Sequence, residues 1–264
     1  RNLYLDLRVE GSNPWRSVSI SALVTQATTK ALTALAASGM GASAGGSSTP
    51  AISLETSYLY GGEEFDMMDY IAPVYIALLA MFFVFLLACV AFLRERSQGT
   101  IERLAASPAT RAEIVQGYMF GLGIFALVQV AVILFFTVWV LKIHYLGSLA
   151  LLFLVIALMA LMGVNLGILA SAFARTEFQV LQFIPLVILP QALLSGTIWP
   201  VSDMPGYLRP LAYSMPLYYA NTALRDVMIK GWGIDRIWPN LLILAGFTLV
   251  FLILSIVMMR REVN

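Results

Sequence analysis

The sequence predicts an all-α polytopic membrane protein, and three observations predict it. Only 12% of the 264 residues are charged, against about 25% in soluble globular domains, and 60% are hydrophobic. The mean hydropathy is +0.84. The apolar residues gather into five long runs, about 71–93, 116–141, 147–172, 178–199 and 238–259, none of which holds an Asp, Glu, Lys, Arg or His. At a rise of ~1.5 Å per residue, each run is long enough to cross a hydrocarbon core ~30 Å thick. The net charge of +1 says nothing about nucleic acid, and no nucleic-acid partner is expected. The single cysteine, Cys89, lies inside the first run and excludes a disulfide framework or a Cys-based metal site within one chain.

Residues 1–70 read as a small α+β extracytoplasmic segment. Residues 1–12 alternate apolar and polar, with Leu3, Leu5, Leu7 and Val9 on one face, as a strand requires. Asn13-Pro14 breaks that strand, and residues 15–37 carry a helical stripe through Leu23, Ala27, Ala31, Leu32 and Leu35. Residues 38–49 are a Gly/Ser-rich linker, and residues 51–60 alternate again as a second strand. No basic-then-apolar signal segment opens the chain, which begins at Arg1 without a methionine, so a cut or unstated start is expected. Gly61-Gly62 ends the second strand. Glu63, Glu64, Asp66 and Asp69 follow, either complementing the positive end of the next helix or binding a cation.

The five runs differ in their interruptions. The first carries Pro73 in its opening turn, where proline is tolerated. The second opens with Gly117 and Gly121, and the third contains Gly163 and Gly167, two small-xxx-small faces that let helices approach closely in lipid. The fourth contains Pro185 and Pro190 and is expected to kink. The fifth stops at Arg260-Arg261.

Charge asymmetry sets orientation. The connector at 94–115 carries Arg94, Arg96, Arg103 and Arg111, the turn at 173–177 carries Arg175, and the C-terminus carries Arg260 and Arg261. Placing these three segments in the cytoplasm puts residues 1–70 and 201–237 outside. The 201–237 loop is punctuated by Pro205, Pro210 and Pro216 and bordered by Pro200. Ser214 is placed to cap a helix over 216–230, Gly231 to end it, and Tyr219, Ala223 and Met228 to anchor it. Trp199, Tyr207, Tyr213, Tyr218, Tyr219 and Trp232 suit a membrane interface. The expected shape is a re-entrant or interfacial helical hairpin.

The inventory of chemistry is thin. There is no GxxxxGK[ST], HExxH or GxSxG, and the spans hold no ionisable group of the kind ion-coupled carriers use. His144 falls in a turn and reads as solvated. No catalytic residue and no metal site is expected. The polar groups inside the spans are neutral: Gln129, Thr137, Asn165, Gln179, Gln182 and Gln191. They either join helices by hydrogen bonds or line a substrate path. For a path, Gln179, Gln182, Pro185, Pro190 and Gln191, with Asn165, form the best set.

The connector has its own grammar. Ser97 is placed to cap a short helix over 98–106, Ser107-Pro108 ends it, and Thr110-Arg-Ala-Glu113 spells a capping box for the next helix. Two caps suit a rigid lever set crosswise between two spans, and a simple tether remains the alternative. The basic residues also suit lipid phosphates.

FLRERSQGTIERLAASPATRAEIVQGY, 92–118, resembles the cytoplasmic loop of type-2 ATP-binding-cassette (ABC) exporter permeases. The resemblance runs through Arg94-Glu95-Arg96, Gly99-Thr100, Glu102-Arg103-Leu104, Ser107-Pro108, Arg111, Glu113 and Gly117. A second match, LLSGTIWPVSDMPGYLRPLAYSMPLYYANTALRDV at 193–227, is similar to the segment before the final span in that family. It keeps Gly196, Pro200, Met204, Pro205, Pro216 and Arg225 in place. The similarity covers about residues 70–264.

The resemblance implies six spans per subunit with a large insert after the first. The five runs here would then be spans two to six, and residues 1–70 the tail of that insert. It implies a coupling helix in the connector and assigns ATPase coupling to Arg94, Glu95, Arg96, Gly99, Thr100, Glu102, Arg103, Pro108, Arg111 and Glu113. It further implies separate ABC ATPase subunits that bind ATP and Mg, a second permease copy or paralogue, and no cofactor or enzymatic activity in this chain. The function implied is a permease subunit of an exporter in the cell inner (plasma) membrane, moving a hydrophobic or amphiphilic drug, natural product or lipid outward. Two other readings compete. A membrane-anchored receptor or sensor would use residues 1–70 to bind a ligand, and a membrane enzyme would need catalytic residues that the sequence does not supply.

Overall fold

The computed structural model describes residues 3–9, 14–37, 52–58, 65 and 67–262, with a few side chains inside helices and strands left out. The expected linker at 38–49, and Gly61, Gly62, Glu63, Glu64 and Asp66, lie outside the described residues. The chain divides into two compact units, residues 1–70 and 71–264.

In the first unit, strand β1 (Leu3–Val9) pairs in parallel with β2 (Ile52–Tyr58), in a register running from Leu3 opposite Ile52 to Val9 opposite Tyr58. Parallel pairing demands a crossover, and helix α1 (Pro14–Ala37) lies between the strands in sequence. Its threonines bond to their own helix: the hydroxyls of Thr28, Thr29 and Thr33 donate to carbonyls three and four residues earlier.

The second unit is helical throughout its described secondary structure. Its elements are α2 (Met67–Ser97), α3 (Thr100–Ala105), α4 (Arg111–Phe135), α5 (Leu149–Ser171), α6 (Glu177–Leu194), α7 (Arg209–Tyr213), α8 (Pro216–Met228) and α9 (Ile234–Glu262). Five of these, α2, α4, α5, α6 and α9, are long and apolar enough to cross a membrane. They correspond to the five apolar runs of the sequence, with shifted ends. Because α2 begins at Met67, Pro73 sits inside the helix rather than in its opening turn. Helix α4 passes into a five-residue π-turn at Phe136–Val140. There the Thr137 hydroxyl donates to the Ile133 carbonyl at 2.8 Å, and the Leu141 N–H reaches back to the Phe136 carbonyl. Helix α6 ends at Leu194, short of the expected Trp199, because Gly196 turns the chain at φ +78°.

Helices α2 and α5 form the centre. Phe85, Met81, Leu152, Ile156, Met159 and Met162 are fully buried. Glycine makes this packing possible. A Cβ on Gly167 would stand 2.6 Å from the Phe85 carbonyl oxygen and 2.8 Å from Ala88 Cβ, and one on Gly163 would meet the Met81 carbonyl oxygen at 3.1 Å. The third-run glycine face therefore seats α5 directly on the α2 backbone. Gly117 and Gly121 differ: an added Cβ would meet nothing within 4 Å at either. Helix α4 is tied to α2 by the Gln129 Nε2 donation to the Ala80 carbonyl, 3.2 Å. Helix α9 is tied to α5 twice. Asn165 Nδ2 donates to the Thr248 carbonyl at 3.2 Å, and the Ser255 hydroxyl donates to the Asn165 carbonyl at 3.1 Å. Helices α4, α6 and α9 turn large apolar residues outward, among them Ile124, Val132, Leu186 and Leu249. Exposed apolar side chains of this kind suit a multi-pass bundle set in a bilayer.

This glycine seat is testable by volume. Gly167→Val is expected to destabilise the purified protein by about 1–3 kcal/mol, the usual cost of overpacking, read as a lowered thermal midpoint in detergent. Gly121→Ala, which has open space, is expected to be neutral or slightly stabilising in the same assay.

Candidate functional site

The connector is built from α3 and the ends of its two neighbours. Helix α2 runs on through Arg94, Glu95 and Arg96 to Ser97, so Ser97 does not cap the next helix as the sequence suggested. Its hydroxyl donates back to the Arg94 carbonyl at 2.9 Å. The chain then reverses at Gly99, φ +71°, a conformation that favours glycine. Helix α3 starts at Thr100, later than the expected 98, and its first turn closes with the Arg103 N–H on the Gly99 carbonyl. Ser107 closes the other end, its hydroxyl donating to the Leu104 carbonyl and accepting from the Ala109 N–H. Pro108 is exposed in the turn that follows.

The capping box is present as spelled. The Thr110 hydroxyl accepts from the Glu113 N–H at 3.3 Å, and the Glu113 carboxylate accepts from the Thr110 N–H at 2.7 Å. Arg103 is exposed, while the side chains of Glu102 and Arg111 lie outside the described residues. Between α3 and α4 lies an open cleft of about 440 Å³, lined by Leu104, Ala109, Glu113, Ile114, Gly117 and Tyr118 among others. Tyr118 meets Phe92 edge-on, with ring centroids 5.1 Å apart.

The connector end of α2 also grips the turn between α5 and α6. Arg94 Nε lies 2.7 Å from Glu177 Oε1, and Arg96 Nη1 donates to the Ala172 carbonyl at 3.3 Å. Thr176 caps α6 by accepting from the Gln179 N–H, and Gln179 Oε1 accepts from the Arg175 N–H at 2.7 Å.

The neutral polar residues of the spans are not gathered in one place. Gln179 serves this turn, and Asn165 joins α5 to α9. Gln191 is buried and its Oε1 accepts from the Leu217 N–H at 3.2 Å, satisfying an otherwise orphaned donor at the start of α8. Gln182 and Pro185 are exposed on α6, and Pro190 is half-buried.

At the far end from the connector, α8 is held among α5, α6 and α9. Pro216 is its first residue and is buried. Ser214 does not cap it; its hydroxyl donates to the Leu211 carbonyl, and Met215 occupies the cap position without a side-chain bond. Leu217, Leu224 and Val227 carry the buried face along with Ala223 and Met228, whereas Tyr219 is half-buried and bonds the Tyr213 carbonyl. The helix stops at Met228, and Gly231, φ +66°, follows. The Met228 carbonyl accepts from the Leu146 N–H at 2.9 Å, so the turn before α5 completes this helix end. Gly147 permits the approach, since a Cβ there would sit 2.5 Å from the Val227 carbonyl oxygen.

A polar cluster joins α8 to the end of α6. Asn221 Nδ2 lies 3.3 Å from the hydroxyl oxygens of both Ser195 and Thr197, which are 2.8 Å from each other. Arg225 Nη2 donates to the Gly196 carbonyl at 3.2 Å. Pro200 and Pro205 supply carbonyls to the turns that follow, accepting from the Asp203 and Leu208 N–H groups. Asp226 and Lys230 form an ion pair at 2.7 Å, and Lys230 and Arg236 both lie over the Trp232 ring. Burial lowers the Arg225 guanidinium, with Asp226 opposing. Burial pushes the Asp226 carboxyl up, against the pull of Lys230 and then of Arg225. Among the described residues, no group of three or more His, Cys, Asp or Glu is placed to hold a metal.

Sequence reasoning selected Arg225 and Gly196 but not Asn221, Ser195, Asp226 or Glu177. Asn221 and Arg225 are four apart on α8, and Asp226 and Lys230 are four apart across its end, and that spacing is the available signal. Glu177 carried only the weaker signal of an acid just after a Thr cap.

Comparison with known proteins follows the same outline. The family model described as ABC-2 family transporter protein matches residues 4–257. The chain is 30% identical over 209 residues to ABC transporter G family member 20 of Dictyostelium discoideum, covering 78% of this chain and 28% of that protein. It is 29% identical over 198 residues to the probable multidrug ABC transporter permease YbhR of Escherichia coli strain K12, covering 75% of this chain and 54% of that one. It is 27% identical over 158 residues to the linearmycin resistance permease protein LnrN of Bacillus subtilis strain 168, covering 60% of this chain and 41% of that one. The chain thus spans about half the length, or less, of these relatives.

Lys230→Gln isolates the buried carboxyl of Asp226. At neutral pH the variant is expected to lose about 1–3 kcal/mol, because a charge-assisted bond to a poorly solvated group is removed. Burial raises the Asp226 carboxyl above its ordinary value, so as pH falls it takes up a proton, and no longer needs the Lys230 cation, sooner than an exposed aspartate would. The loss should therefore shrink as pH falls through that titration, read by paired thermal unfolding curves of variant and wild type.

Proposed function

The chain belongs to the ABC-2 transporter family, and from that premise we propose that it is the membrane-spanning permease part of an ATP-driven exporter. In this reading the cargo is a hydrophobic or amphiphilic compound, a drug, natural product or lipid, carried out of the cytoplasm or inner leaflet. ATP and Mg are bound by separate ABC ATPase subunits, and a second permease copy or paralogue completes the pathway. The connector 94–115 and the C-terminus face the cytoplasm, residues 1–70 and 201–237 face outward, and the protein resides in the cell inner (plasma) membrane. Residues 71–264 form the transporter domain, and residues 1–70 belong to an extracytoplasmic insert.

The observation that carries the reading is the short helix α3, held between a glycine turn at Gly99 and the capping box of Thr110 and Glu113. A short helix fixed at both ends transmits displacement to the two long helices it joins, which a slack loop does not. The names of two relatives, a probable multidrug permease and a linearmycin resistance permease, support an exporter of amphiphilic compounds. For the cargo path we propose the exposed face of α6, where Gln182 and Pro185 lie beside half-buried Pro190. Asn165, Gln179 and Gln191 would join that path only on release from the hydrogen bonds they now make. The cargo meets no catalytic group in this scheme. Work comes from the change in shape that the ATPase imposes, since a conformational change needs a ligand that favours one state over the other.

Glu102→Arg and Arg111→Glu test this in the full-length subunit reconstituted with its ATPase. Both are expected to abolish ATPase association and ATP-dependent efflux while leaving membrane insertion and thermal stability near wild type. Unchanged association and efflux in both variants would refute the assignment.

A further inference from the structure

We propose that Glu177 and Arg94 form a clamp that makes the α5–α6 turn move with the connector end of α2, so that displacement of α3 reaches α6. The proposal rests on the reading of α3 as the ATPase contact and adds to it a positioning role for Glu177.

The clamp stands on geometry. Arg94 and Glu177 are 83 residues apart in sequence, and their side chains meet at 2.7 Å. Helix α2 is continuous through Arg94 to Ser97, and only Gln98 and Gly99 separate it from α3. Any movement of α3 is therefore delivered to the very turn of α2 that carries Arg94. The partner turn is stiff, because Thr176 caps α6 and Gln179 closes back on Arg175. Arg96 adds a second hold on the Ala172 carbonyl. Beneath these polar ties, Cys89 and Leu93 of α2 pack with Ala174 and Val180. Glu177 is the first residue of α6, so whatever moves Glu177 moves the base of the helix that carries Pro185 and Pro190.

Magnitude separates this role from a structural one. The two side chains are 61% and 56% exposed, and exposed, solvent-screened ion pairs add little to stability. Such a pair does not hold the fold, which the apolar cluster below it does. What the pair adds is direction, since it fixes how α6 follows α2. Its loss should leave stability nearly untouched and uncouple the motion.

The experiment uses the full-length subunit with its ATPase partner in lipid nanodiscs. Spin labels at Phe125→Cys on α4 and Leu186→Cys on α6, both exposed positions, are carried in a Cys89→Ala background. The readout is the change in label separation on adding ATP and vanadate, with thermal stability measured in parallel. Wild type is expected to shift. Arg94→Glu and Glu177→Arg should each lose most of the shift with little change in thermal midpoint, and the double charge swap should restore it. Glu177→Gln, a milder change, should also lose the shift and serves if a reversal fails to fold. Single variants that shift as wild type does, or a swap that restores nothing, would overturn the clamp alone. A wild-type protein that neither binds the ATPase nor shifts would overturn the functional reading and the clamp with it.

Discussion

The contact on which the bundle depends is the approach of α5 to the α2 backbone. In hydrocarbon there is no water to expel from between helices, so association relies on close packing and on internal hydrogen bonds. Gly163 and Gly167 bring α5 within van der Waals range of the Met81 and Phe85 carbonyls. That approach buries the large side chains of both helices, from Phe85 and Met81 to Ile156 and Met159. The other spans then pack around the pair, through α4 by Gln129 on the Ala80 carbonyl and through α9 by the two bonds at Asn165.

The same lack of water explains the distribution of polar groups. The ends of α8 show it, where polar groups meet backbone groups that need a partner. Gln191 reaches the Leu217 N–H at the start of α8, and the Leu146 N–H reaches the Met228 carbonyl at its end. A thirteen-residue helix can be packed among three others only if its ends are satisfied from outside, and here both are. Asn221 and Arg225 then fasten the helix to the end of α6, at Ser195, Thr197 and Gly196.

Much of this was legible from pattern alone. The five charge-free runs could be nothing but long helices, because a bilayer leaves the backbone few options. The capping box of Thr110 and Glu113 could be read directly, because both of its bonds lie within four residues. What could not be read depends on tertiary approach. The hydroxyls of Ser97 and Ser214 each turned back to their own helix, since a serine near a helix end can donate backwards as readily as cap forwards. The pairing of Arg94 with Glu177 spans 83 residues and has no local signature. Whether a membrane-embedded glutamine lines a path or closes a helix end depends on which helix comes within reach, and periodicity carries no such information.

Helix α6 links the two polar ends of the bundle. At its start Thr176 and Glu177 join it to the connector end of α2, and beyond its last residue Ser195, Thr197 and Gly196 join it to α8. Between these anchors most of its surface is open, with Leu181, Leu186 and Leu189 exposed. Pro185 and Pro190 each remove a ladder hydrogen bond and crowd the carbonyl one turn earlier, so resistance to bending is lowest in this middle stretch. A helix held at both ends and weakened between them answers displacement of either end by bending at its centre. The physical consequence is that a disturbance at one face of the bundle has a defined place to be expressed, in the proline-weakened middle of a spanning helix that both ends grip.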